Sequence, residues 1–220
     1  MTNIISFTQY KSRKGVIDML DIQNEKKLEI EKKVHDILTK ENLSPLSSVD
    51  IVPLVNKYGF CVQKADLPID TTGYLAVNDN APVTEDSEHH KLIVVNTKFT
   101  NNDNDDNVIL KKSRFITAHE FGHYILHKKQ SESLYAHRDN DKRDSLIELE
   151  ADYFARSILM PANSFSKINE LIDSIGQLNA MNSSELTNFK IDFLSRFFKV
   201  TKNKVKKRMG DIEVLSLMNN

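Results

Sequence analysis

The chain opens with polar and charged stretches in which apolar residues recur three or four positions apart. Over residues 16–43 this spacing predicts an amphipathic helix with an interruption near Gln23 and Asn24. Ser48 suits the N-cap of a second helix that runs through Tyr58, and Gly59 suits its end. The first part of the chain is therefore predicted to be helical.

Three short segments with strand character follow. Phe60 to Lys64 and Tyr74 to Val77 are rich in strand-forming residues and are bounded by proline, glycine, asparagine and aspartate. Lys91 to Asn96 contains four consecutive apolar residues, three of them β-branched, and is the strongest strand pattern in the chain. Together they predict a small sheet of about three strands.

Two helices are predicted after the sheet. Residues 101–107 are rich in Asn and Asp but lack the glycine and glutamate of an EF-hand loop, so we expect a solvated connection. The first helix is predicted from an N-cap at Ser113 to about His127, and a polar loop over residues 128–144 follows it. Ser145 to Met160 forms the second helix, which Pro161 ends.

The last part of the chain combines apolar residues at helical spacing with a basic terminal segment. Thr201 suits the N-cap of a short helix that carries Lys202, Lys204, Lys206, Lys207 and Arg208. With the preceding helix this resembles half of a helix-turn-helix. A solvated basic face or a surface for a protein substrate is favoured over direct contact with DNA phosphates.

These elements predict an α+β chain in three consecutive segments. Residues 1–44 form an arm and an amphipathic helix, residues 45–162 hold the sheet and the two helices, and residues 163–220 are helical. Of the 220 residues 40% are hydrophobic, which is enough for a core, and the net charge of −1 gives no overall attraction to nucleic acid. One cysteine, no apolar N-terminal signal and no apolar run near about 18 residues predict a cytoplasmic protein that does not enter membranes.

The first of the two helices contains His119, Glu120 and His123, which form an H-E-x-x-H pattern. Residues four apart on a helix share a face, so the two histidines can present their imidazole nitrogens to one zinc ion. Glu120 lies beside them, where it can take a proton from metal-bound water. The pattern predicts a zinc hydrolase with Glu120 as general base.

A catalytic zinc ion needs a third protein ligand, and three residues are candidates. His127 would lie roughly 12 Å along the helix axis from His119, which is too far to share a tetrahedral ion. We therefore interpret His127 as a residue of the helix C-terminus or of the cleft wall. On the second helix Glu148 is favoured over Glu150, because Asp152 shares its face and can accept the free N–H of a ligating histidine.

The sequence assigns no catalytic or metal-binding role to the other histidines and tyrosines. His35 is interpreted as a surface helix residue, and the adjacent His89 and His90 as residues of an exposed loop. An oxyanion donor cannot be chosen from the sequence, although Tyr74, Tyr135 and His137 are candidates.

The stretch from Arg114 to His127, followed by Glu148 to Ala155 and then Leu159-Met160-Pro161, resembles the ImmA/IrrE family of zinc metallopeptidases. That family shows R-F-x-x-A-H-E-x-G-H-x-x-x-H, then E-x-E-A-[ND]-x-F-A and L-M-P. The resemblance covers about residues 45–210, and the Asn/Asp-rich segment before Ser113 departs from the compact link usual in the family.

The resemblance implies a zincin-like fold in which Glu148 completes a zinc site with His119 and His123. It also implies an intracellular endopeptidase whose substrate is a helix-turn-helix transcriptional repressor, so that cleavage releases phage, mobile-element or stress genes. The main alternative is a non-proteolytic regulator that binds a repressor or DNA through its helical C-terminal region, with the zinc structural.

Overall fold

The computed structural model describes residues 22–43, 47–68, 71–77, 91–100, 106–134, 141–178 and 180–218. These residues form an α+β fold with one small sheet, as the sequence predicts. The strands are β1 (Phe60–Ala65), β2 (Gly73–Val77) and β3 (Lys91–Asn96). The helices are α1 (Asn24–Lys40), α2 (Ile51–Lys57), α3 (Thr97–Thr100), α4 (Asp106–Leu134), α5 (Asp141–Leu159), α6 (Ala162–Leu178), α7 (Ser183–Phe197) and α8 (Lys202–Met218).

The three strands form a mixed sheet in the order β1-β3-β2. Strand β1 runs parallel to β3, with Phe60 opposite Lys91, and β2 runs antiparallel to β3, with Gly73 opposite Val95. The central position of β3 explains its apolar run, because a strand covered on both faces has no solvent side for polar residues. The predicted three-stranded sheet is therefore confirmed.

A buried asparagine fixes the end of the central strand. Asn96 is fully buried, and its amide nitrogen donates to the carbonyl oxygen of Pro68 at 3.0 Å. Its amide oxygen accepts from the backbone N–H groups of Leu67 at 3.2 Å and Lys98 at 2.9 Å. Asn96 thereby supplies the hydrogen bonds that the chain leaving β1 and the start of α3 would otherwise lack.

The contacts divide the chain into two compact units, each made of two segments. One comprises residues 1–27 and 50–155 and the other residues 28–49 and 156–220. The division into three consecutive segments stays a prediction. Among the described helices, none is long and apolar enough to span a bilayer.

An aromatic cluster forms the centre of the first unit. Phe121 of α4 lies edge-on to Tyr58, Phe60 and Phe154, with ring centroids 5.1, 6.1 and 5.9 Å away. Phe121, Phe60 and Phe154 are each at most 1% exposed. Edge-to-face rings of this kind contribute specific geometry beyond their buried area, so the cluster holds α4 against the sheet and α5.

The helix that carries the H-E-x-x-H pattern is longer than the sequence predicts. Helix α4 begins at Asp106, so Ser113 is a buried residue inside the helix and the predicted N-cap there is wrong. Residues 106–112 continue the helix because the half-buried Val108 and Ile109 extend its packed face. The predicted loop is also wrong at residues 128–134 and 141–144, which belong to α4 and α5.

The first two helices differ from the prediction at their ends. Helix α1 begins at Asn24, at the predicted interruption, and ends at Lys40, with Asn42 in the left-handed conformation at a φ of 50°. Residues 16–21 of the predicted helix lie outside the described residues. Helix α2 begins at Ile51 with Asp50, not Ser48, at its N-cap. Pro53 fits the first turn of α2 because an N–H there has no partner within the helix.

An arginine of the predicted basic helix is part of the core of the second unit. Arg208 is fully buried, and its guanidinium donates to both carboxylate oxygens of Glu31, at 2.6 and 3.1 Å, and to the Met160 carbonyl oxygen at 2.9 Å. Because it is buried, Arg208 belongs to no solvated basic face or binding surface, and the prediction that grouped it with the lysines of α8 is wrong for this residue. Lys206 and Lys207 are exposed, so for these two residues a basic surface on α8 stays a prediction.

We expect Arg208→Leu to lower the free energy of unfolding by about 3–5 kcal/mol, because it removes the buried cation that balances the Glu31 carboxylate and the donor to the Met160 carbonyl oxygen. Urea denaturation measures this. Lys207→Leu on the same helix is the control and should change the free energy by less than about 0.5 kcal/mol, since Lys207 is exposed. Equal losses in the two variants would contradict the structural role of Arg208.

Candidate metal centre

Helix α4 places the two histidines of the H-E-x-x-H pattern on one buried face. His119 and His123 are 6% and 2% exposed, and their Nε2 atoms lie 3.0 Å apart. The rings meet edge-on, with centroids 4.7 Å apart. The two Nε2 atoms therefore converge on one point beside the helix.

Helix α5 brings a carboxylate to the same point. Oε2 of Glu148 lies 3.1 Å from Nε2 of His119, and Oε1 lies 3.3 Å from Nε2 of His123. Within the described ranges these three side chains form a group that could hold a metal ion. Burial raises the pKa of Glu148, but hydrogen bonds from the two histidines outweigh it, so the pKa is lowered and the carboxylate is ionised.

A glycine inside the motif sets how closely α5 can approach. A Cβ at Gly122 would lie 3.0 Å from Cδ1 of Phe154 and 3.3 Å from the carbonyl oxygen of Ala151. Ala151 is fully buried and follows Glu148 by three residues. Two small residues at the crossing thus let the helix backbones come close enough for Glu148 to reach both histidines.

Gly122→Val is expected to push α5 away from α4 and to weaken zinc binding by roughly tenfold or more, since a ligand site tolerates displacements of only about 0.5 Å. Titration against a competing chelator measures the zinc affinity. Gly210→Val is the matched control, because a Cβ at Gly210 meets nothing within 4 Å. Equal zinc affinity in the two variants would show that the close crossing does not matter.

Glu120 lies next to the histidines and is almost fully buried. It is 1% exposed, and within the described part of the chain its Oε2 atom has no hydrogen-bond partner. Burial raises the pKa of the Glu120 carboxyl to about 8, while the charge of His119 opposes the shift and that of Glu148 adds to it. Glu120 thus has a free acceptor oxygen and an affinity for a proton in the neutral pH range.

Strand β2 approaches Glu120 at a glycine. A Cβ at Gly73 would lie 2.6 Å from Cγ2 of Ile116, 2.8 Å from the Val94 carbonyl oxygen and 3.3 Å from Oε1 of Glu120. Only glycine leaves this space free, whereas the sequence predicts Gly73 only as a boundary of the strand that begins at Tyr74. Tyr74, the next residue, is half-buried, while Tyr135 and His137, the other candidate oxyanion donors, lie outside the described residues together with His89 and His90.

Asp152 lies behind His119. Its Oδ1 atom is 3.1 Å from Nδ1 of His119, on the side of the ring away from Glu148. Burial lowers the pKa of His119, but the hydrogen bonds to Asp152 and Glu148 outweigh it and the pKa is raised. Asp152 therefore lies where it can accept the Nδ1 proton of His119, and its role in support of a metal ligand stays a prediction.

His127 and Glu150 are paired with each other. His127 is 1% exposed and lies inside α4, which continues to Leu134, so its interpretation as a helix C-terminal residue is wrong, whereas a place in the cleft wall stays a prediction. Its Nε2 atom is 3.0 Å from Oε2 of Glu150, and its Nδ1 atom is 3.4 Å from Nδ1 of His123. The four-residue spacing from His123 was the signal that could have shown this contact.

The comparison with known families agrees with this arrangement of residues. Residues 75–209 match the model of the peptidase M78 family, described as the IrrE N-terminal-like domain. The chain belongs to this family. The match includes α4 and α5 and supports a metallopeptidase-type function for the domain. A search of curated proteins found no significant match.

The donor set of this peptidase M78 domain fits a zinc ion. Ligand atoms about 2.0–2.1 Å from a zinc ion stand roughly 3.3–3.4 Å apart at the corners of a tetrahedron. The two Nε2 atoms are 3.0 Å apart, and the Glu148 carboxylate lies at similar distances, with Oε2 3.1 Å from Nε2 of His119 and Oε1 3.3 Å from Nε2 of His123. The unpartnered Oε2 of Glu120 is the acceptor that a water at the fourth corner would need.

Proposed function

We propose that the chain is a zinc-dependent endopeptidase with His119, His123 and Glu148 as the metal ligands and Glu120 as the general base. The observation that carries the proposal is the convergence of two Nε2 atoms and one carboxylate beside a buried, unpartnered Glu120 oxygen. Three protein ligands with a fourth position left for water are typical of catalytic zinc sites. The metallopeptidase family of the chain supports the same reaction class.

A bound zinc ion would supply an activated water and polarise the scissile carbonyl. Glu120 accepts the proton of that water and passes it to the leaving amine. Glu120 suits this work because its carboxylate is buried beside the ligands with one oxygen that has no hydrogen-bond partner among the described residues, so that oxygen is available to take up a proton. Asp152 keeps Nε2 of His119 free of a proton.

The edge strand β2 offers a place for an extended substrate. Among the described residues β2 pairs on one side only, with β3. Gly73 at its start lies beside Glu120, so a peptide that adds to the open edge would run past the general base. Backbone pairing of this kind would hold a peptide in the extended conformation through its main chain, and pockets for its side chains would select the sequence.

We infer that the substrate is a helix-turn-helix repressor and that its cleavage releases genes of a phage, a mobile element or a stress response. The resemblance of the α4 and α5 sequences to the ImmA/IrrE family supports this choice. The cytoplasm, where such a repressor acts, would be the site of cleavage. A regulator that binds the repressor without cutting it is the alternative that the experiment must separate.

The test is incubation of the full-length protein with a candidate repressor, with zinc and after removal of zinc by a chelator. Mass spectrometry of the products is expected to show two complementary fragments only with zinc. Binding of the repressor without fragments, by a protein that holds zinc, would overturn the proposed peptidase function and favour the non-proteolytic regulator. Absence of zinc binding would overturn the metal centre itself.

A further inference from the structure

His127 is a buried polar side chain for which the proposed reaction has no role. It is 1% exposed and follows His123 by one turn of α4. Both of its ring nitrogens have a polar contact: Nδ1 lies 3.4 Å from Nδ1 of His123, and Nε2 lies 3.0 Å from Oε2 of Glu150. Polar contacts at both nitrogens of a buried histidine hold its ring in one orientation, so His127 can in turn orient the residues that it contacts.

The contact with His127 lies on the side of His123 that faces away from the metal group. Nε2 of His123 is directed at Nε2 of His119 and Oε1 of Glu148, at 3.0 and 3.3 Å. Only its Nδ1 atom faces His127. His127 is therefore not a further ligand, and any effect it has on a metal passes through His123.

The protons on the rings of His123 and His127 determine which nitrogen donates and which accepts in the contact between them. If Nε2 of His123 is a metal ligand it carries no proton, so the single proton of the neutral ring is on Nδ1. One hydrogen can lie between the two facing Nδ1 atoms, so Nδ1 of His127 must be the acceptor. The proton of His127 is then on Nε2, from which it is donated to the carboxylate of Glu150.

We propose that His127 and Glu150 are positioning residues that hold His123 in the tautomer and orientation needed for zinc. The inference rests on the proposed metal centre. It adds a second series of hydrogen bonds from a carboxylate of α5 to a histidine ligand, beside the one from Asp152. Asp152 supports His119 directly, whereas Glu150 supports His123 through the ring of His127. Lys26 lies 3.6 Å from Oε2 of Glu150 and places a cation beside the end of this path.

Matched substitutions at position 127 test the proposal. His127→Leu removes the acceptor and is expected to weaken zinc binding about 10- to 100-fold. His127→Gln can accept through its amide oxygen and donate through its amide nitrogen, so it is expected to bind zinc within a few-fold of wild type. Competition with a chelating dye measures the affinity. Equal affinity of both variants and wild type overturns the proposal.

Position 150 gives an independent pair in case a variant at 127 does not fold. Glu150→Leu removes the acceptor for His127 and is expected to lower the zinc affinity several-fold or more. Glu150→Gln keeps an acceptor oxygen and is expected to lower the zinc affinity less. Circular dichroism of the metal-free variants checks that the helices are intact. An affinity loss in Glu150→Gln as large as in Glu150→Leu, both folded, overturns the proposed acceptor role.

Nitrogen-15 NMR of the zinc-loaded protein reports the tautomers directly, and a purely structural role of His127 would not determine them. We expect His123 to be protonated at Nδ1 and His127 at Nε2. A His127 ring with its proton on Nδ1 overturns the proposal, because it cannot accept from His123. A wild-type protein that takes up no zinc overturns the metal centre, whereas normal uptake with the wrong tautomer overturns this inference alone.

Discussion

Replacement of Glu120 by glutamine is expected to lower the rate of peptide cleavage by about 10²- to 10⁴-fold while zinc still binds as in wild type. Glutamine has nearly the same shape, but its amide cannot take a proton from water. Glu120 is not among the atoms that converge on the metal position, so the ligand group keeps its geometry.

The same substitution should leave the metal-free protein as stable as wild type or make it more stable. Burial raises the pKa of Glu120, which shows that its charged form is disfavoured in the folded protein. A neutral amide does not carry that cost. Loss of cleavage through unfolding would therefore be visible as a lowered melting temperature, which we do not expect.

The measurement is the initial rate of fragment formation from a repressor, together with zinc content by mass spectrometry. Glu170→Gln, an exposed carboxylate on α6, is the control and should cleave at the wild-type rate. Wild-type cleavage by Glu120→Gln would show that another group is the base.

The second large effect is expected from removal of a ligand. Structural zinc sites with four ligands bind with about 10–16 kcal/mol, which is roughly 3–4 kcal/mol per ligand. His123→Ala and Glu148→Ala should therefore each weaken zinc binding by about 10²- to 10³-fold. Both side chains belong to the same proposed metal site, so each substitution is also expected to abolish cleavage at micromolar zinc concentrations, where the site would be empty.

Isothermal titration of zinc into the metal-free proteins measures this loss. Glu170→Ala is the matched control for Glu148→Ala, because it removes an exposed carboxylate and should leave the affinity unchanged. If Glu148→Ala bound zinc as tightly as wild type, α5 would not provide the third ligand. Glu150 would then be the next carboxylate on α5 to examine.

The sequence predicted the elements well where one local pattern was strong. Lys91 to Asn96 forms the central strand because a run of β-branched residues suits a strand covered on both faces. The ends of α4 were predicted poorly, because Asp106 and Leu134 lie in polar stretches whose sequence has no clear apolar period to distinguish helix from loop.

The sequence by itself determined the chemistry of the candidate site. The spacing of His119 and His123 places them on one face of any helix, and Glu148 and Asp152 share a face for the same reason. These relations are local, since they depend only on the repeat of the α-helix.

The tertiary structure alone decided the distances between elements. No local pattern shows that Gly122 lets α5 approach, that Gly73 lies against Glu120, or that Arg208 is buried with Glu31. These contacts join residues far apart in the chain, and they depend on which side chains fill the space between the backbones. For the same reason the partner of His127 on α5 could be identified only in the folded protein.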